Sequence, residues 1–200
     1  MATVLLEAQP KMNVVREYLW TAPLFYRALE AGAFGLWPKV ELIRGRIVEH
    51  PGQTPRHAYT VDWIAHCFRR VLTPAFQVRE HNAIAIAEDT HADVDIMVIT
   101  VRHSEYKDRH PNPDDAILLV EVTDLTAEYD LSEKALLYAQ SGITDYWVVL
   151  VNDSTIVRHQ QPSAEGYQDV TRLAGAEALS PLAMPSAAWT INALLGREEE

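Results

Sequence analysis

Three charged side chains stand where the surrounding sequence is otherwise apolar. Glu121 interrupts the run Ile117-Leu118-Leu119-Val120-Glu121-Val122-Thr123, which reads as a buried strand. A lone carboxylate there costs several kcal/mol unless a cation, a hydrogen-bond network or an exposed strand end answers it. Asp95 opens a second hydrophobic strand, Ile96-Met97-Val98-Ile99, and Lys134 follows downstream. Strand alternation puts Asp93 and Asp95 on one face, and Glu121 and Thr123 on one face of their own strand. If the two strands pair, Asp95 and Glu121 can meet, and two such acids can share a hard divalent cation, Mg²⁺ or Mn²⁺. Such an ion relieves their repulsion and lowers the pKa of a bound water. Structural alternatives stand beside each residue. Asp95 can cap a strand end, Glu121 can be half of a buried salt bridge, and Lys134 can pair with Asp130 four residues earlier.

The elements that must position these groups follow from periodicity and turn chemistry. Residues 13–31 have helical spacing, broken by Pro23 and ended at Gly32. Val40–Ile43 and Ile47–Glu49 flank Arg44-Gly45 as a hairpin. From Pro55, the residues Ala58, Val61, Ile64, Ala65, Phe68, Val71 and Leu72 repeat on one helical face. Strands are predicted near 76–88 and 94–101, then a polar loop from His103 to Asp115 in which His103 and His110 are solvated. After the Glu121 strand, Asp130-Leu131-Ser132-Glu133 has the form of a capping box that starts a helix ending at Gly142. Lys134 flanks its apolar stripe of Leu131, Ala135 and Tyr138. Segments 117–123 and 145–151, joined by that helix, should be parallel neighbours with a right-handed connection. Further strands are predicted at 155–159 and near 167–170, with no assignment for 174–189. The expected fold class is α/β, a mixed sheet flanked by helices.

Composition narrows the function classes. The apolar fraction of 48% and charged fraction of 22% suit a soluble globular chain. Cys67 is the single cysteine, which excludes an internal disulfide framework and suits a reducing cytoplasm. No signal peptide and no bilayer-length apolar run is evident, so a cytoplasmic location is expected. The net charge of −11 argues against unspecific attraction to DNA or anionic membranes. It is uneven: residues 39–80 hold seven basic and four acidic side chains, a local +3 against −14 for the remainder. The eight histidines form no zinc signature, and no P-loop or Gly-x-Gly-x-x-Gly turn is present.

An ordered series of segments carries a family resemblance. It runs through Glu41-Leu42-Ile43-Arg44-Gly45-Arg46-Ile47-Val48-Glu49, Pro55-Arg56-His57, Asp93-Val94-Asp95-Ile96-Met97-Val98 and Leu119-Val120-Glu121-Val122-Thr123-Asp124. It continues through Glu128-Tyr129-Asp130, Glu133-Lys134-Ala135-Leu136-Leu137-Tyr138-Ala139 and Gly142-Ile143-Thr144-Asp145-Tyr146-Trp147. The chain resembles the Uma-type restriction endonucleases, a branch of the PD-(D/E)xK nuclease superfamily. The resemblance runs from about Glu41 to Tyr167 and implies a restriction-endonuclease-like fold; that domain is expected over 39–195, with a helical segment 1–38 packed on it and a disordered acidic tail 196–200. It also implies Asp95, Glu121 and the main-chain carbonyl of Val122 as metal ligands, with Glu41 as an additional acid near the metal. Where the superfamily pattern has a lysine two residues after the glutamate, this chain has Thr123, and Lys134 looks like the migrated lysine. Val94 replaces the proline usually found before the aspartate. His57 matches a family position, although a surface histidine at a helix start is the simpler expectation. The implied activity is Mg²⁺-dependent hydrolysis of phosphodiester bonds in DNA, with a homodimer expected for duplex cleavage. The alternative is a catalytically inactive nuclease fold that binds nucleic acid or a partner protein.

Overall fold

The computed structural model describes residues 17–35, 39–72, 74–102 and 105–197. Most of the expected 196–200 tail and the start of the 13–31 helix therefore lie outside the described residues. An eight-stranded sheet is flanked by helices on both faces, an α/β architecture. Helix α1 (Ala22–Glu30) begins with Pro23 in its first turn. There the missing N–H has no helical partner to lose, so Pro23 starts the helix rather than breaking it. Ala22 and Phe25 bury against Leu42 of strand β1 (Val40–Ile43).

The predicted hairpin is present: β1 pairs antiparallel with β2 (Arg46–Glu49) through Arg44 and Gly45, both at positive φ. Gly45 is required twice over, by its φ of 75° and because a Cβ there would stand 2.6 Å from Leu19 Cβ. Helix α2 (Pro55–Val71) is capped by the Thr54 hydroxyl, which accepts from His57 N–H at 3.2 Å. Strands β3 (Phe76–Ala87) and β4 (Thr90–Thr100) form a long antiparallel hairpin. Strand β4 starts five residues before Asp95, so Asp95 sits within the strand instead of opening it.

Strand β5 (Ala116–Thr123) pairs antiparallel with β4 and parallel with β6 (Asp145–Leu150), as the crossover predicted. The crossover is one helical rod: α3 (Ala127–Tyr129), a π-helical turn (Asp130–Lys134) and α4 (Ala135–Gln140). It begins at Thr126, and Asp130 lies inside it, so the expected capping box at Asp130 is not formed. Strands β7 (Thr155–Ser163) and β8 (Gly166–Ala174) finish the sheet, both longer than the sequence suggested. The unassigned 174–189 stretch supplies a two-stranded ribbon, β9 (Ala178–Leu179) with β10 (Trp189–Thr190), before the short helix α5 (Ile191–Leu194). The loop after β4 is also more structured than expected. His110 stacks on Tyr26 at 5.7 Å, and Asp115 is buried and paired with Arg102 and Arg109.

One face of the sheet packs on α2 through Ile64 and Phe68, the other on α4 through Tyr138. Phe68 is fully buried, edge-on to Trp147 at 5.9 Å and beside Trp189 at 5.4 Å. Phe68→Ala should therefore lower stability by about 3–5 kcal/mol, read from the urea midpoint. His159 is buried between Tyr146 and Tyr167, and that burial lowers its pKa. His91 and His110 are shifted in the same direction by the same cause. Native protein thus binds fewer protons at these sites than unfolded chain, whose imidazoles titrate near about 6.5. Their contribution is complete above that pH and is lost as the pH falls towards the lowered native values. Denaturation between pH 5 and 7 should show the stability of wild type relative to His159→Gln rising with pH, because only the wild type carries the lowered His159 imidazole.

Candidate active site

The site forms where two strands part. Strand β1 reaches β4 only opposite His91, whereas β5 joins the same edge from Ile96 onward. Residues 92–95 of β4 therefore lack a strand neighbour on that edge, and side chains supply the missing partners. Asp93 N–H donates to Glu41 Oε2 at 2.9 Å, and Asp93 C=O accepts from Lys134 Nζ at 2.8 Å. Asp95 N–H lies 3.3 Å from Glu121 Oε2, and Val122 N–H donates back to Asp95 Oδ2 at 2.9 Å. Four main-chain groups at the parting are thus answered by Glu41, Asp95, Glu121 and Lys134.

A kink in the β3–β4 hairpin aims Asp95. Val78, Ile96 and Val98 pack on the α2 face, whereas Ile84, Ala92 and Val94, of the same parity, pack on the α4 side. The alternation changes phase at His81 and Asp95, which face each other across the hairpin. His81 has a φ of 49°, a left-handed conformation uncommon for a residue with a Cβ. Asp95 consequently meets groups from the α2 layer and from the neighbouring strand. His57 Nε2 approaches its Oδ1 at 3.3 Å from α2, and His81 Nδ1 at 3.5 Å from β3. His57 is 8% exposed, so it is not the surface residue expected at a helix start. No sequence pattern pairs His81 with Asp95, because the contact depends on that one backbone angle.

The π-helical turn brings both Asp130 and Lys134 inward, where each is buried. Lys134 Nζ lies 3.0 Å from Glu121 Oε1 and 3.5 Å from Glu41 Oε2. The Tyr138 hydroxyl donates to Glu121 Oε1 at 2.9 Å. Lys134 therefore pairs with two acids distant in sequence; an Asp130–Lys134 pair is not what fixes it. Thr123 is buried, and its hydroxyl accepts from Thr126 N–H at 3.1 Å, so its polar atom is tied to the following loop. Glu41 is 1% exposed and lies 2.5 Å from His50 Nε2 through Oε1. The basic residues of 39–80 are spread among local partners: Arg69 pairs with Glu80, Arg44 reaches Gln140, and Arg56 reaches Val151 and Asn152.

Electrostatics separate the two central acids. Burial works against the charge on Asp95, but the nearby imidazoles of His57 and His81, with the Val122 N–H, outweigh it and hold the carboxyl well below the usual range. For Glu121 burial dominates, Asp95 and Asp130 add to it, and Lys134 offsets it only in part, so its pKa stands well above the usual range. Lys134 is opposed by burial but surrounded by Glu121, Glu41 and Asp130, which keep it a cation. Two carboxylates held apart in pKa within one cleft match the pattern of groups with different tasks.

The cleft has a volume of about 330 Å³ and brings Glu41, Asp93, Asp95, Glu121, Val122 and Lys134 onto one wall. Among the described residues no three acidic, histidine or cysteine side chains are already spaced as a metal cage. A hard ion that keeps several waters does not need one: two carboxylates and a main-chain carbonyl are a sufficient protein share. The hard oxygen donors of Asp95, Glu121 and Val122, all lining one cleft, fit such an ion. Lys134→Met would leave two buried carboxylates without their cation. Chemical denaturation should show a loss of about 3–5 kcal/mol, with part of it recovered in the double variant Lys134→Met, Glu121→Gln.

Comparison with known proteins agrees with this architecture. Residues 25–193 match the family Uma2, described as "Putative restriction endonuclease", and the chain belongs to that family. No curated protein matches the sequence. Among solved structures, the fold is similar to a nuclease-named protein of the DUF820 group from Anabaena variabilis, with a TM-score of 0.67 and 16% identity. The match covers 89% of this chain and 98% of that one, so the likeness extends over the whole sheet-and-helix arrangement. Among the described residues no helix is long and apolar enough to cross a membrane.

Proposed function

We propose that this protein is a divalent-metal-dependent endonuclease that hydrolyses phosphodiester bonds in DNA. The observation that carries the reading is the convergence of Asp95 and Glu121 on one cleft, with Lys134 at 3.0 Å from the Glu121 carboxylate. Asp95, Glu121 and the Val122 carbonyl would hold Mg²⁺ or Mn²⁺. Bound there, the ion polarises a phosphoryl oxygen and acidifies a water. Lys134 keeps a fixed positive charge beside the acids, the position at which negative charge gathers on a phosphate during in-line attack. With Thr123 tied to the loop, the helix rather than the strand supplies that cation. Family membership supports a nuclease, and DNA as the substrate and Mg²⁺ or Mn²⁺ as the ion belong to the proposal. Cutting both strands takes two such sites, so a homodimer belongs to the same proposal, as does action in the cytoplasm.

Six acidic side chains line the cleft against two lysines, Lys39 and Lys134. A bare cleft of that balance repels a polyanion, so the ion should be needed for nucleic acid to enter as well as for chemistry. Purified protein should nick supercoiled DNA with Mg²⁺ or Mn²⁺ and not with chelator present. Asp95→Ala and Glu121→Gln should each remove nicking, and normal cleavage by both would refute the roles. The second reading, a nuclease fold that only binds nucleic acid or a partner, is favoured by the commitment of Lys134 Nζ to Asp93 C=O and Glu121. Calorimetric titration separates the two, because a catalytic site takes up Mn²⁺ in the wild type and not in Asp95→Ala.

A further inference from the structure

The β1–β2 hairpin carries an acid–imidazole pair that the metal-centred reading leaves unused. His50 N–H donates to Lys39 C=O at 2.8 Å, which extends the hairpin ladder and fixes the His50 backbone. The ring then lies against Glu41, with Nε2 2.5 Å from Oε1. Glu41 is itself held: Oε2 accepts from Asp93 N–H at 2.9 Å, and the Tyr129 hydroxyl donates to Oε1 at 3.3 Å. The Tyr129 ring meets the imidazole edge-on, with centroids 5.6 Å apart. Burial opposes charge on Glu41, but Lys134 and then His50 outweigh it and lower its pKa, so Glu41 is an acceptor only. An acceptor at Nε2 requires the proton on Nε2 and leaves Nδ1 as the exchanging nitrogen. Nδ1 has no hydrogen-bond partner among the described residues, and the side chain is 22% exposed in the cleft that holds Asp95 and Lys134. Lys134 is a poor rival as proton donor, because its amino group already donates to Asp93 C=O and Glu121.

We infer that His50 is a catalytic proton donor to the leaving oxygen, and that Glu41 is its positioning residue rather than a group that touches metal or substrate. The inference rests on the nuclease reading above. In the step, a water oxygen bonds to phosphorus while the bond from phosphorus to the leaving sugar oxygen breaks. The electron pair of that bond takes the proton from Nδ1 of the imidazolium. The attacking water yields a proton to solvent, and the neutral imidazole regains one from solvent, so the cycle balances without a further reactant.

The test compares leaving groups. Wild type, His50→Gln and Glu41→Gln are assayed with Mn²⁺ on supercoiled DNA and on bis(p-nitrophenyl) phosphate, whose phenolate departs without a proton. His50→Gln should lose about 100-fold or more in DNA nicking. It should release p-nitrophenol at close to the wild-type rate. Glu41→Gln should show a smaller loss with the same preference for the activated ester. In metal-free protein, ¹⁵N spectra of the His50 ring should show the Nε2-protonated tautomer in wild type and a mixture in Glu41→Gln. Undiminished nicking by His50→Gln, an equal loss on both substrates, or a neutral ring that carries its single proton on Nδ1 overturns the assignment. Failure of the wild type on both substrates instead sinks the nuclease reading, and the His50 role with it.

Discussion

Strand β4 has more edge than its neighbours cover, and the buried charged cluster sits in that shortfall. Between the single contact with β1 and the start of pairing with β5, the main chain of Asp93 and Asp95 must find partners elsewhere. Buried peptide groups left unpaired cost about 1–3 kcal/mol each. Glu41 and Lys134 answer both polar groups of Asp93, and Glu121 answers the N–H of Asp95. The charged cluster is therefore part of the sheet as well as of the cleft. This explains why such expensive side chains are tolerated in a core built from Ile96, Val98, Leu119 and Val120.

Charge balance follows from the same arrangement. Three acids, Glu41, Glu121 and Asp130, surround one lysine, and Asp95 has two imidazoles. The offsetting cations and donors come from several elements: α2 and β3 for Asp95, the π-helical turn for Glu121, and that turn with His50 for Glu41. A buried charge without such a partner costs more than its pairing returns, so the elements are bound to one another through these contacts. The cleft can be acidic and still folded because Lys134, His50, His57 and His81 line it together with the acids.

The family match and the shared fold agree with this arrangement, and the details of this chain add to it. Two features reposition groups without any change in the order of the strands. The left-handed residue His81 shifts the pleat at Asp95, and the π-helical turn rotates Lys134 into the core. Both are single-residue adjustments to regular elements. Each moves a functional side chain by about one position around its axis.

The sequence by itself determined the regular parts. Alternation and apolar runs located the strands, the 3.6-residue repeat located α2, and Arg44-Gly45 located the hairpin, because these signals are local. It also marked Glu121 and Lys134, since a charge inside an apolar stretch is visible without coordinates. Tertiary structure alone decided the rest: that β4 begins well before Asp95, that Pro23 starts a helix, and that Asp130 lies within a helix instead of capping it. It alone brought His57 and His81 to Asp95 and His50 to Glu41. Those contacts depend on where strands diverge and where the backbone leaves its ideal angles. Neither leaves a period in the sequence, because each arises from pairing between segments far apart along the chain.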